Sequence, residues 1–253
     1  MGGTFVEKIQ LRKMTVNSPI VLALDLYLPL KEWIDEPGKQ QTLLNECKDL
    51  IEGLSDGLVG VKMGFPLLLS LGSTKLHHLI GEMKGKSENL VFIGDFKISD
   101  IANTNLLIVR HLFDLGFDAV IFHVFTGYEG GFDKIIEEAR DRGMGTIGIV
   151  YMSHPGALSF FEETYGELVS LGVKHGVDGF IVPGTRPQII RRIRSEVKEK
   201  TLLFAPGIGV QGGDPGETLK AGANFLIVGR SIYGSQDPSE ALNKLLSSIR
   251  SGV

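Results

Sequence analysis

Eight short apolar runs, each followed by a stretch of helical periodicity, constrain this chain more than any other feature. They are IVLALD (20–25), LVGVK (58–62), LVFIGD (90–95), DAVIFH (118–123), GTIGIVY (145–151), DGFIVP (178–183), TLLFAP (201–206) and NFLIVG (224–229). Each is close to continuously apolar rather than alternating, the pattern of parallel strands covered on both faces. Between them, GGFDKIIEEARDRG and RPQIIRRIRSEVKEK place apolar residues at helical spacing with charge elsewhere. Gly116, Gly143, Gly172 and Gly222 stand where a helix should stop before the next strand. Eight strand-helix units in 253 residues have the size and rhythm of one (β/α)8 TIM barrel. A doubly wound nucleotide-binding sheet would need Gly-x-Gly-x-x-Gly after its first strand, and DLYLPLKEW holds no glycine. Residues 1–18 read as an N-terminal extension suited to a helix across the barrel bottom. Residues 29–41 read as an insertion between the first strand and its helix. No linker divides the chain, so one domain, 1–253, is expected.

A chain that is 43% hydrophobic and 22% charged can bury a large core without staples. Its net charge of -4 gives no general attraction to nucleic acid or anionic membrane, so any anion it binds must be caught locally. Cys47 is the only cysteine, which excludes an intrachain disulfide and suits a reducing compartment. The opening MGGTFVEKIQLRKM has no apolar signal core, and Val6 stands where myristoylation wants Ser or Thr. With no apolar run near the length of a membrane span, a cytoplasmic protein is expected.

In a barrel of this kind the carboxyl ends of the strands face the active site. That ring holds Asp25, Lys62, Asp95 with Lys97, His123, Ser153 and Pro183. Asp95 and Lys97, two apart, share a side on an extended segment. Acids and lysines thus alternate around the mouth. Buried ion pairs seldom outdo apolar side chains of similar volume, so a functional site explains this array better than stability does. Near the C-terminus, APGIGVQGGDPGE (205–217) and LIVGRSIYG (226–234) follow strands seven and eight. Barrels commonly bind phosphate there through backbone N–H groups. Glycines 207, 209, 212, 213 and 216 allow close approach of an anion, and Arg230 can hold it with a bidentate fork. A phosphorylated substrate is expected.

Other residues carry less. His77 and His78 diverge on a helix with no third ligand at metal spacing. His123 suits either the pocket wall or a hydrogen-bonded structural role. His154 beside Ser153 lacks a nucleophile elbow, and Trp33 suits packing.

DFKISDIANTN (95–105) resembles the Asp-x-Lys-x-x-Asp signature of the orotidine 5'-monophosphate decarboxylase family. LALDL, VKMGFPLLLS, MSHPGA (152–157), PGIGVQGGDPGETL (206–219) and IVGRSIY (227–233) are also similar, in the family's order from about residue 20 to 240. The likeness is greatest to the archaeal branch. The wider suprafamily includes metal-dependent 3-keto-gulonate-phosphate decarboxylases and hexulose-phosphate synthases. Those relatives carry a metal-ligating Glu where this chain has Lys62, and lack the MSHPG and QGGD segments. Two departures are the 29–41 insertion and Ala102, where many members have proline.

The resemblance implies conversion of orotidine 5'-phosphate (OMP) to UMP and CO2 without a cofactor, and no metal, pyridoxal or thiamine site is apparent. It implies Lys97 as proton donor to the C6 carbanion, with Asp95, Lys62 and Asp100 in the charge array. Asp25 and Lys62 would clasp the ribose, Ser153 would read the pyrimidine edge, and Gln211 would bridge base and phosphate. Pro206, Gly207, Gly212, Gly213, Gly229 and Arg230 would line the substrate and phosphate site. It further implies a homodimer in which Asp100 and Thr104 enter the neighbouring subunit's site. The competing expectations are a metal-dependent sugar-phosphate lyase and a phosphate-binding barrel without chemistry.

Overall fold

The computed structural model describes residues 4–36 and 38–252. The chain begins with α1 (Phe5–Val16), β1 (Ile20–Ala23), α2 (Leu30–Asp35), α3 (Gly38–Leu54) and β2 (Gly60–Gly64). It continues with α4 (Phe65–Lys86), β3 (Val91–Ile98), α5 (Ala102–Leu115), β4 (Ala119–His123), α6 (Asp133–Asp141) and β5 (Gly145–Ile149). There follow α7 (Leu158–Lys174), β6 (Gly179–Ile181), α8 (Pro187–Glu196), β7 (Leu202–Pro206) and α9 (Pro215–Lys220). The last elements are β8 (Phe225–Val228), α10 (Arg230–Tyr233) and α11 (Pro238–Gly252). Every strand pairs in parallel with its sequence neighbours, and β1 pairs with β8, so the sheet is a closed eight-stranded barrel. The barrel expected from the alternating pattern is the one observed.

Alternate strand residues divide the core in two. Val21, Ile93, Ala119, Ile121, Ile147 and Ile149 fill the barrel interior. Leu22, Val61, Phe92, Val120, Phe122 and Phe180 face outward, where the helices cover them. That double burial is why the strands read as unbroken apolar runs.

Helix α1 lies ahead of the first strand and closes the lower end of the barrel; residues 1–3 lie outside the described residues. Thr4 and Glu7 form a reciprocal capping box. Phe5 and Ile9 join the interior cluster, and Phe5 sits so close to Gly145 that a side chain there would collide with its ring. Arg12 is buried and donates to the carbonyls of Leu58 (3.1 Å), Glu88 (2.9 Å) and Ser55 (2.6 Å).

Of the residues expected as an insertion, 29–41, Leu30–Asp35 form the short α2, which has no buried residue, and those from Gly38 on already belong to α3; Pro37 lies outside the described residues. Its root is held where the Leu28 N–H donates to Ser70 Oγ at 2.9 Å. Trp33 is half-buried in it. Gly116, Gly143 and Gly222 do follow helix ends, with φ of 99°, 69° and 110°. Gly172 does not: α7 runs on to Lys174, and the left-handed stop falls at Gly176. Gly172 is instead a packing glycine, because a Cβ there would lie 2.5 Å from the Phe180 ring. None of the helices among the described residues is long and apolar enough to cross a membrane.

Candidate active site

Side chains from all quarters of the ring meet in a cavity of about 320 Å³ at the carboxyl ends of the strands. Ile121, Ile149, Ile181 and Ile227 from four strands make its apolar floor. On the other side stand four charged groups in alternation. Lys62 Nζ donates to Asp25 Oδ1 at 3.1 Å and to Asp95 Oδ2 at 3.0 Å. Lys97 Nζ donates to the other Asp95 oxygen, Oδ1, at 2.8 Å. Asp95 is thereby held from both sides.

Burial and charge oppose each other here. Burial works against the Lys62 ammonium, but the carboxylates of Asp95 and Asp25 outweigh it and raise its pKa. Burial likewise works against the Asp95 carboxylate, while Lys62 and Lys97 hold its pKa below the ordinary value. Both groups therefore stay charged at neutral pH, in a pocket whose floor cannot screen them.

Strand β3 delivers its two charged residues unconventionally. The expected strand ended at residue 95; the observed one runs to Ile98 through a bulge. Gly94 lies beside Val120 and Ile98 beside Phe122, so three residues of β3 oppose one of β4. Within the bulge Lys97 has φ 46°, a left-handed backbone that costs a non-glycine residue roughly 1–2 kcal/mol. Asp95 and Lys97 meet as expected, but through a bend rather than through strand alternation.

The end of the cavity where phosphate was expected is built from the loop after β7 and from α10. Pro206, Gly207 and Gln211 line the cavity, as do Gly229 and Arg230. Ser153 lines it too, and its Oγ donates to Gln211 Oε1 at 2.8 Å. The Tyr151 hydroxyl donates to Glu162 at 2.6 Å, which steadies the segment ahead of Ser153. Gly207, Gly209 and Gly212 have φ of 97°, 78° and 88°, a run of conformations only glycine adopts readily. Gly212 and Gly213 do not line the cavity. Their N–H groups bond within the loop, to the carbonyls of Gly209 (2.7 Å) and Gly207 (3.0 Å).

Asp100 and Thr104 also lie outside the cavity of their own barrel. Asp100 is exposed, and among the described residues Asp100 Oδ1 accepts only the N–H of Ile101, at 2.7 Å. The cap position of α5 is Ile101, with no side-chain cap. Asn105, which sequence reasoning passed over, is the anchor of this turn. Its amide donates to the carbonyls of Asp100 (2.6 Å) and Gly131 (2.8 Å), and it is wholly buried.

Sequence reasoning also missed Tyr233 and Met152 in the wall, and His154, set aside as a nucleophile's partner, stands there too. Tyr233 lies three residues after Arg230 in IVGRSIY, a spacing that could have flagged it. Burial first, then the charge of Asp25, raises its pKa. His123 fits neither expectation held for it. It does not line the cavity, and its Nδ1 is buried without a hydrogen-bond partner among the described residues. Burial, then the charge of Lys97, lowers its pKa, so it is neutral at pH 7. Among the described residues, no three His, Cys, Asp or Glu side chains converge as a metal site.

The model of the orotidine 5'-phosphate decarboxylase / HUMPS family matches residues 18–245. The chain belongs to this family. It is 37% identical over 231 residues to the orotidine 5'-phosphate decarboxylase of Pyrococcus furiosus, covering 91% of this chain and 97% of that one. To the enzyme of Methanococcoides burtonii it is 36% identical over 232 residues, covering 92% and 97%. Among solved structures, orotidine 5'-phosphate decarboxylase from Pyrococcus horikoshii superposes with TM-score 0.72 at 34% identity, over 91% of this chain and 99% of that chain. The Methanocaldococcus jannaschii enzyme, solved in complex with the inhibitor BMP, gives TM-score 0.76 at 29% identity, over 92% and 98%.

Proposed function

We propose that this family member decarboxylates OMP to UMP in pyrimidine biosynthesis, using Lys97 as the proton donor and no cofactor. The observation that carries this is the Asp25–Lys62–Asp95–Lys97 array standing over an apolar floor beside the glycine-rich loop. When the bond from C6 to its carboxylate breaks, CO2 leaves and the electron pair stays in an in-plane orbital at C6. That orbital is orthogonal to the ring π system and cannot delocalise. A fixed ammonium nearby lowers its energy. Lys97 supplies the charge, then the proton, and is reprotonated from solvent. Asp95 holds Lys97 at 2.8 Å. Lys62 and Asp25 take the ribose hydroxyls, Ser153 and Gln211 the pyrimidine edge, and Arg230 with the Gly229 N–H the phosphate. Pro206, Gly207, Gly212 and Gly213 shape the loop around it. The setting proposed is cytoplasmic, where the buried thiol of Cys47 stays reduced.

The site is proposed to be completed by a second copy. Asp100 and Thr104 do not line their own cavity, and Phe65, Leu69, Ile101, Leu107 and Phe125, on the segments that follow β2, β3 and β4, are exposed apolar side chains. Such a surface suits burial against another chain. In a two-fold dimer each site would use Asp25, Lys62, Asp95 and Lys97 from one chain and Asp100 and Thr104 from the other. Loss of the orotate chromophore, followed with and without EDTA, tests the reaction. Turnover unaffected by EDTA is expected, whereas EDTA-sensitive activity or none would overturn it. Mixing inactive Lys97→Ala with inactive Asp100→Ala tests the sharing, because a mixed dimer then has one intact site. Mixed dimers that form without recovering activity would rule sharing out.

A further inference from the structure

The left-handed backbone of Lys97 needs something to hold it. The ion pair with Asp95 is a poor candidate, since the Lys97 side chain is 46% exposed and can reorient. The middle residue of the bulge, Phe96, is placed differently. It is 5% exposed and belongs to the outer core. Its ring meets Phe65 edge-on at 5.0 Å and Phe117 at 5.7 Å. Phe65 comes from the start of α4, and Phe117 precedes β4, so the ring bridges the elements on either side of β3. Two glycines make room. A Cβ on Gly94 would press on the rings of Phe96 and Phe117 at 3.2–3.4 Å, and one on Gly64 would lie 2.8 Å from the Asp95 carbonyl. The bulge is thus fitted around a rigid wedge. If the wedge is removed, the chain from 95 to 97 can relax toward an ordinary strand and swing the ammonium away from Asp95.

We propose that Phe96, locked between Phe65 and Phe117, is a positioning residue that keeps the Lys97 ammonium where negative charge develops at C6. This rests on the role proposed for Lys97, and the test separates the two. The probes are UMP and 6-hydroxyuridine 5'-phosphate, whose ionised C6 oxygen stands where the carbanion forms. The quantity read is the ratio of their Kd values, at a temperature where every variant is folded.

Wild type should prefer the C6-oxyanion nucleotide, and Lys97→Ala should lose that preference; if wild type shows none, the role of Lys97 fails and this inference with it. Phe96→Leu should cut the preference about tenfold or more, because sub-ångström placement governs such contacts. Its UMP affinity should stay within about threefold of wild type, since the ribose and phosphate contacts are untouched. On the Lys97→Ala background Phe96→Leu should remove nothing further. Phe180→Leu, a fully buried outer-core change on β6, should leave the ratio alone. A preference within about twofold of wild type in folded Phe96→Leu overturns the inference, as does an equal loss in Phe180→Leu. Should Phe96→Leu not fold, Phe65→Leu decides. That ring is 52% exposed in the single chain, so folding is not at risk; because it lies on the surface proposed to pair, the ratio is read on protein shown to be dimeric, and an unchanged ratio there is equally fatal.

Discussion

Replacing Lys62 by methionine removes the hub of the charge array while keeping an unbranched side chain of similar length. In the folded protein Lys62 bonds Asp95, whose side chain is 12% exposed, and Asp25, which is 40% exposed. The Asp25 contact is well solvated and contributes about 0–1 kcal/mol. The Asp95 contact is nearly buried, and removing one partner of a buried pair costs about 3–5 kcal/mol. Methionine regains some apolar contact, roughly 0.8 kcal/mol for a buried methylene. A net loss of about 3 kcal/mol at pH 7 follows. The sign with pH follows from Asp95. In wild type its folded pKa lies below the unfolded value, so its stabilisation is present above the unfolded pKa and is lost as pH falls through the folded pKa. Without Lys62, burial is opposed by Lys97 alone and the Asp95 pKa rises. The variant then takes up a proton on folding in mildly acid solution. Its deficit should narrow between about pH 6 and pH 4, by about 1 kcal/mol or more. Urea unfolding at pH 7 and pH 4.5, at one protein concentration, measures both numbers. A deficit below about 1 kcal/mol at pH 7, or one that does not change with pH, would refute this account of the array.

Lys97→Ala should bind UMP yet retain less than about a tenth of wild-type kcat, about 1.4 kcal/mol of barrier. Lys97→Gly should be equally inactive but about 1 kcal/mol more stable than Lys97→Ala, because only glycine takes φ 46° without strain; equal melting temperatures would argue against strain in the bulge. On the proposed reading, in which phosphate contacts order the glycine loop, the nucleoside orotidine should lose kcat as well as affinity; the same kcat for both substrates would remove that coupling. Arg12→Ala should cost about 2–4 kcal/mol by leaving three carbonyls without their donor. Because α1 lies at the end of the barrel opposite the site, kcat measured at low temperature should not change.

The barrel was legible in the sequence because both faces of every strand are buried, so Ile20–Ala23 or Leu202–Pro206 can be recognised by composition alone. The charged residues were legible for the opposite reason. Asp25, Lys62 and Asp95 interrupt apolar runs where burial penalises them, which marks them for chemistry. The glycines after β7 and the arginine after β8 stood out because their place in the order of strands is one where barrels commonly bind phosphate. What no local pattern recorded was everything set by residues far apart in the chain. Gly172 resembles a helix stop until Phe180 is seen filling the space a side chain would need. Asn105 looks like an ordinary polar residue until its amide spans two carbonyls, one of them on Gly131. The isoleucine floor exists because four separate strands close into a ring. The backbone of Lys97 is the sharpest case. Sequence spacing put it beside Asp95, but on the reading proposed here its left-handed turn is held by Phe65 and Phe117, about 30 and 20 residues away in the chain, whose rings close on Phe96 between them. Periodicity and composition report which residues a strand or helix will bury. Only the packed structure decides which atoms meet, because contact between distant segments depends on the closure of the whole barrel rather than on any one segment of it.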